Sequence, residues 1–453
     1  MVFFQKSIFP RGASLHFATS SPEADVSNES LWATLKLNGM TGRKRPLQDF
    51  ARRHRLLIRA LALTLVWEVV AEVVGLLAVT IFPPSTDLPA FFQHHPAFQH
   101  GQYPLWETIW ARWDGIWYVL IAAQGYGPQV GALHAFFPAF PGLIHTVGDV
   151  FGGNYLLAGV LINRLLLFPT VAAFTQIVRE ESGERAAESA PLFLLLAPVA
   201  VFFLAVYTET LFILACLACF LAMRHQRWLL AGVCCAVATA TRLPGIVLVG
   251  AVLVEGLVSR KYWQGLGASA RATNGSESAG TRFPQALAAA GAAALGLCGL
   301  AAYALYLQLA YHDPLAFQHA YNYGWGGRHF TLNIWSGPQM YLQLLASDHP
   351  WTRTDLTYLS CVLALAIDCA LLVAMWRPMR WSYRLFVVGS MLLPLMSGTL
   401  FAYNRYSLAL FPFLLVACRW TAKRPTLREA TLLTMGFFCV LGIVMFTSSY
   451  WVG

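Results

Sequence analysis

From residue 56 onward, long apolar runs alternate with short polar or charged connections. The runs fall at about 56–82, 155–178, 190–206, 208–222, 228–258, 285–311, 356–376, 383–402, 405–420 and 430–452. A helix crosses a bilayer with about 20 apolar residues, so the pattern predicts membrane-spanning helices. The run 228–258 is interrupted by Thr241-Arg242-Leu243-Pro244-Gly245. Such a break favours two short spans turning at Arg242, which brings the total to about eleven. The expected fold class is an all-α polytopic membrane protein.

Two stretches depart from the spanning pattern. The first begins Trp106-Glu107-Thr108-Ile109-Trp110-Ala111-Arg112-Trp113-Asp114-Gly115-Ile116-Trp117-Tyr118 and closes with Gly125-Tyr126-Gly127. Apolar residues at 106, 109, 110, 113, 117 and 120 follow the period of an amphipathic helix. Glu107 and Asp114 are seven positions apart, close to two turns, so one helix would carry both carboxylates on one stripe. Tryptophan favours the lipid–water boundary. The stretch is therefore expected to lie on the membrane surface, either presenting an acid to an interfacial site or serving as an anchor whose acids face water. The second stretch, His134-Ala135-Phe136-Phe137-Pro138-Ala139-Phe140-Pro141-Gly142, has two prolines that disfavour a regular helix there. The piece to about 150 is short for a span and is expected to be interfacial or re-entrant.

Charge orients the chain. Residues 1–55 carry nine Lys or Arg against four acids, which predicts a poorly ordered cytoplasmic tail preceding one transmembrane domain over 56–453. The connections 179–189, 223–227, 259–284, 377–384 and 419–428 are basic or mixed, whereas Arg112 is the one Lys or Arg in loop 83–133. Eleven crossings, with 134–150 not crossing, put all the basic connections inside. Loops 83–133 and 312–355 and the turns at 207–209, 241–245 and 402–405 then lie outside. Asp114, Glu209, Arg242, Asp313 and Arg405 share that outer face. Within the first span, Glu68 and Glu72 occupy one helix face, in a packing or a functional role.

Composition supports this map. The 453 residues are 57% hydrophobic and 12% charged, about half the charge of a soluble domain. The net charge of +9 reflects the basic flanks, and there is no nucleic-acid-binding motif. The nine cysteines sit mostly in apolar spans and read as small buried residues. No Asp-x-Asp pair accompanies the outer face, and neither a metal nor a cofactor is expected.

Arginines at the tops of short spans can hold a phosphate through paired, charge-assisted hydrogen bonds. A carboxylate beside them can take a proton from an attacking hydroxyl. The aromatic and Gly-rich loop 312–355, with Tyr321-Asn322-Tyr323-Gly324-Trp325, can stack on a sugar ring or isoprenoid and close over the site. Snorkelling to head groups is the other reading of Arg242 and Arg405, and a helix N-terminal acid the other reading of Glu209.

Arg112-Trp113-Asp114-Gly115-Ile116-Trp117-Tyr118, followed by Phe136-Phe137-Pro138-Ala139-Phe140-Pro141, resembles the paired signature of the PIG-V-like mannosyltransferases. Further blocks resemble that family in the same order. They are Pro198…Phe202-Phe203…Tyr207-Thr208-Glu209, Thr241-Arg242-Leu243-Pro244-Gly245 and Asn404-Arg405-Tyr406…Phe411-Pro412, so the likeness spans roughly 105–415. Two departures stand out. Ala139-Phe140 replaces a common Leu-Tyr, and Arg-Leu-Pro-Gly replaces Arg-Ser-Asn-Gly.

The resemblance implies a GT-C fold and transfer of a sugar, mannose above all, from a polyprenyl- or dolichyl-phosphate donor. The acceptor is a lipid-linked or glycan hydroxyl at the external or lumenal face, and transfer inverts the anomeric centre. It implies Asp114 as general base, with Arg242, Arg405 and Glu209 near the donor phosphate. Tyr118, Trp113 and Glu107 are the remaining candidate substrate contacts. The location is a cell membrane in a prokaryote or the endoplasmic reticulum membrane in a eukaryote. The alternative function is a transporter or lipid flippase using the same charged groups as a substrate path, which predicts inverted repeats or paired midplane charges. Glu68, Glu72 and Asp368 are the candidates for such charges.

Overall fold

The computed structural model describes residues 54–82, 103–266, 282–321, 329–350 and 352–452. The expected basic tail up to 53, the His94-His95 pair, the polar stretch 267–281 and the aromatic run 322–328 lie outside the described residues.

The described residues form helices and connecting turns, with no strand among them. The main helices are α1 (Arg55–Ile81), α2 (Asp114–Gln124), α3 (Ala139–Val150), α4 (Tyr155–Ser182), α5 (Glu209–Arg224), α6 (Trp228–Thr241) and α7 (Gly245–Leu266). They continue with α8 (Arg282–Tyr311), α9 (Ser336–Ala346), α10 (Arg353–Met375), α11 (Trp381–Leu395), α12 (Phe411–Thr421) and α13 (Pro425–Thr447). Five helices, α1, α4, α8, α10 and α13, are long and apolar enough to cross a membrane. Helix α1 has the inside-out pattern of a lipid-facing helix. It exposes Leu65, Val66, Val69 and Val73 and buries Ala60, Ala71, Gly75 and Ala78. Without water to drive association, small residues let helices approach closely. The fold is that of a helical integral membrane protein.

Helices α6 and α8 approach each other closely. A Cβ on Gly299 would lie 2.0 Å from the Ala236 carbonyl oxygen, and one on Gly232 would lie 2.9 Å from that of Ala292. Thr239 Oγ1 donates to the Gly296 carbonyl at 2.7 Å across the same seam. Arg242 caps the C-terminus of α6 in extended conformation, and α7 begins at Gly245. The expected break at Arg242-Leu243-Pro244 is therefore present.

Two expectations are corrected. The stretch 106–118 is not one amphipathic helix. A single turn, Leu105–Thr108, ends before the buried segment Ile109–Arg112, and α2 starts afresh at Asp114. The Trp110 carbonyl accepts from Val206 N–H at 2.9 Å instead of continuing a helix. Glu107 and Asp114 consequently share no helical stripe. Only Trp106 and Trp117 are exposed enough to meet lipid head groups, because Trp110 is buried with Nε1 donating to Glu72 at 2.9 Å. The run 190–206 is not a regular span either. It comprises the turn Ala190–Leu195 and a 3-10 turn at Ala200–Phe203, around Pro198. Carbonyls at and just past its end are bonded internally, those of Ala205 and Tyr207 by Asn163 Nδ2 and that of Phe203 by Thr210 Oγ1. Irregular backbone at membrane depth requires such satisfaction.

The break expected over 134–142 is present only as far as Pro138, because α3 runs on through Pro141 and Gly142, a proline in the first helical turn having no N–H partner to lose. A 3-10 turn at Ala132–Ala135 precedes α3, which starts after Pro138 and has only 12 residues, about 18 Å at 1.5 Å per residue.

Ionic side chains gather at both ends of α5, whose first residue is Glu209 and last Arg224. At the Arg224 end, Arg224 Nη1 donates to Glu181 at 2.7 Å and Arg380 Nη2 to Glu255 at 2.6 Å. Tyr383 also donates to Glu181, at 2.8 Å. Residues of the connections 179–189, 223–227 and 377–384 thus meet at one end. Glu72, one of the two acids in the first span, pairs with Arg164 of α4.

Candidate functional site

The opposite end of α5 joins four charged residues from four distant parts of the chain. Arg405 Nη1 donates to Asp114 Oδ2 at 2.7 Å, and its Nε lies 3.0 Å from Glu209 Oε1. The same Glu209 oxygen pairs with Arg242 Nη1. The order is Asp114–Arg405–Glu209–Arg242, with alternating sign and two charges of each sign. Side-chain exposure is 13% for Asp114, 8% for Arg405, 2% for Glu209 and 10% for Arg242. Charges this buried are held only when paired. Burial alone would lower the Arg405 pKa, but Glu209 and Asp114 reverse that and hold it well above its usual value.

Each member of the chain is aimed by local structure. Asp114 opens α2 directly after Trp113, whose φ of 52° and ψ of −119° place a bulky residue in a region that favours glycine. That turn directs the Asp114 N–H to the Tyr207 hydroxyl at 3.1 Å, and the same hydroxyl donates to the Arg112 carbonyl at 3.1 Å. Gly115 lets the two segments approach. A Cβ there would meet the Val206 carbonyl at 3.3 Å. Asn163 of α4 fixes the Tyr207 carbonyl at 2.9 Å. Tyr207 is therefore the strut that keeps Asp114 beside Glu209, two residues further along.

Arg405 lies in the turn Tyr403–Tyr406, which Ala402 enters at a φ of 65°. Its guanidinium rests 5.2 Å from the Tyr207 ring centroid and 5.6 Å from that of Phe202. The Arg242 guanidinium rests 4.9 Å from the Tyr406 ring. Aromatic faces stabilise a cation while leaving its N–H groups free to bond.

These charges border a cavity of about 630 Å³. Asp114, Tyr118, Arg242 and Arg405 line it, and Tyr406 and Trp451 stand beside them. Leu243, Ile246, Leu300 and Leu393, from the neighbourhood of α7, α8 and α11, make an apolar wall. Phe317, His319, Tyr321, His329 and Phe330 come from the second loop, the one expected to face a sugar or isoprenoid. Asp313 accepts from or bonds with His319 Nδ1 at 2.7 Å. The cavity volume falls within the ordinary range of small-molecule pockets, about 300–1,000 Å³.

The structure thus brings together Asp114, Glu209, Arg242, Arg405 and Tyr118. Glu209 lies behind the two arginines rather than on the cavity wall. Trp113 packs edge-on against Trp451 at 5.2 Å and supports the wall from outside. Glu107 is buried in the turn before α2 and does not line the cavity. Sequence reasoning missed Tyr207, Asn163, Tyr406 and Trp451. Tyr207 and Tyr406 are chain neighbours of residues already singled out, which was the available signal. Asn163 carries a signal in being a polar residue inside the apolar run 155–178.

Two nearby groups sit in unusual surroundings. Arg112 is fully buried, its three guanidinium nitrogens have no hydrogen-bond partner among the described residues, and burial lowers its pKa to about 10. His134 is fully buried beneath Tyr311, its Nδ1 bonds to Gly131, and burial lowers its pKa. Comparison of the chain with protein-family models and with curated proteins returned no match.

Proposed function

We propose that this protein is a GT-C-type membrane glycosyltransferase. It moves a hexose, mannose on the sequence resemblance, from a polyprenyl-phosphate donor to a hydroxyl of a lipid-linked or glycan acceptor. In this reading the chain makes eleven crossings, with 190–206 as an irregular one, and the Asp114 end of the bundle faces outward. The observation that carries the proposal is the Asp114–Arg405–Glu209–Arg242 chain at the edge of a half-apolar cavity. It puts a carboxylate and two arginines together where a lipid-anchored phosphate can reach.

The chemistry is a single displacement. Asp114 takes the acceptor hydroxyl proton, and the acceptor oxygen bonds to the anomeric carbon from the face opposite the phosphate. The carbon–oxygen bond to the phosphate breaks, and the polyprenyl phosphate leaves with the electron pair and one more negative charge. Arg242 and Arg405 stabilise that charge. A carboxylate paired with arginine is a weak base. Donor phosphate answers this, because it competes for Arg405 and so frees Asp114 as the site fills. Transfer is then ordered, with donor binding before acceptor deprotonation.

The test is purified protein with a labelled polyprenyl-phosphate mannose and a glycolipid extract, read by mass spectrometry and by the product's anomeric configuration. An inverted, acceptor-linked sugar is expected. Movement of intact lipid between leaflets without bond cleavage would instead establish a transporter.

A further inference from the structure

Asp368 is a buried carboxylate that the proposed chemistry does not use. It lies in α10, one of the five long apolar helices, and is 5% exposed. A carboxylate inside such a helix is costly and marks a functional or structural demand. Ser407 donates its hydroxyl to Asp368 Oδ2 at 2.6 Å, and Tyr403, in the turn that carries Arg405, faces the same carboxylate. Ser407 follows the turn that carries Arg405.

Two turns earlier on α10, Ser360 accepts from Asn404 Nδ2 at 3.2 Å. Asn404 Oδ1 in turn accepts from the Arg405 backbone N–H at 2.9 Å. Helix α10 therefore grips the chain on both sides of Arg405, at 404 and at 407. The Arg405 turn is entered through left-handed Ala402 and is too short to hold itself. The direction of its guanidinium thus depends on these anchors.

We propose that Asp368 is a positioning residue: through Ser407 it sets the turn that aims Arg405 at Asp114 and Glu209. This rests on the reading above that Arg405 receives the donor phosphate. Asp368 itself does not line the cavity.

The test uses full-length purified protein with farnesyl phosphate as a short polyprenyl-phosphate probe, together with labelled donor for turnover. A hydrogen bond to a charged group contributes about 1.5–3 kcal/mol, so Asp368→Leu and Ser407→Ala are expected to weaken probe binding roughly ten- to hundredfold. Asp368→Asn keeps an acceptor oxygen and is expected to stay within about threefold of wild type. On an Arg405→Gln background, Asp368→Leu is expected to cost nothing further. Unchanged probe binding in Asp368→Leu overturns the inference. So does a loss in the double variant equal to the two single losses combined, which is what a general structural role produces. If wild type neither binds the probe nor transfers sugar, the donor reading fails by itself. Amide exchange over 402–410 then decides the positioning role. Faster exchange in Asp368→Leu but not in Asp368→Asn supports it, and unchanged exchange overturns it.

Discussion

Arg405 Nη1 lies 2.7 Å from Asp114 Oδ2, joining residues 291 positions apart in the chain. The pair closes the end of the bundle opposite Arg224, and both charges are nearly out of water. Removing one partner of such a pair strands the other and costs about 3–5 kcal/mol. Arg405→Gln is expected to lower the melting temperature of the detergent-solubilised protein sharply. Because the two residues share one interaction, Asp114→Asn with Arg405→Gln is expected to be less destabilising than the sum of the single changes. Additive losses would show that the contact carries no coupling.

The approach of α6 to α8 makes a second prediction. Gly299 faces the Ala236 carbonyl with no room for a methyl group. Gly299→Leu must push the helices apart, and overpacking of this kind costs about 1–3 kcal/mol or more. Since Arg242 directly follows the last residue of α6, Thr241, the displacement also moves that arginine away from Glu209. Lower thermal stability together with weaker polyprenyl-phosphate binding is the expected outcome, and binding measured at a temperature where the variant is folded separates the two effects.

His134 supplies a pH dependence. Burial lowers its folded-state pKa below the ordinary value of 6.5. The unfolded chain therefore binds the proton more readily than the folded one. The stability is fully present above about pH 6.5 and falls as pH drops below it, by at most about 1.4 kcal/mol per pH unit. Melting temperatures from pH 7.5 to 5 are expected to decline in wild type. His134→Phe is expected to flatten that decline.

Much of this arrangement was legible in the sequence. The length and charge of the connections placed Asp114, Glu209, Arg242 and Arg405 on one face, and the structure brings all four into contact. The Arg242 break was visible because Leu-Pro-Gly cannot continue a helix. Periodicity failed at two places. At 106–118 the apolar spacing fits a helix, yet the Trp110 carbonyl and Asp114 N–H find long-range partners at Val206 and Tyr207. Those contacts win over local propensity and separate Glu107 from Asp114. At 190–206 the apolar run is long enough to span, but Pro198 and the bonds from Asn163 and Thr210 make an irregular path as well satisfied as a helix. Neither outcome follows from spacing alone, because each depends in part on a partner dozens of residues away, Val206 and Tyr207 in the first case and Asn163 in the second.

The role proposed for Asp114 in sugar transfer is that of the base that takes the acceptor proton. Its most direct test is single turnover by Asp114→Asn with labelled polyprenyl-phosphate mannose, alongside a measurement of donor binding. General-base catalysis typically contributes about 10²–10⁴-fold, so the rate is expected to fall by that factor while donor binding persists. Turnover at the wild-type rate would contradict the assignment.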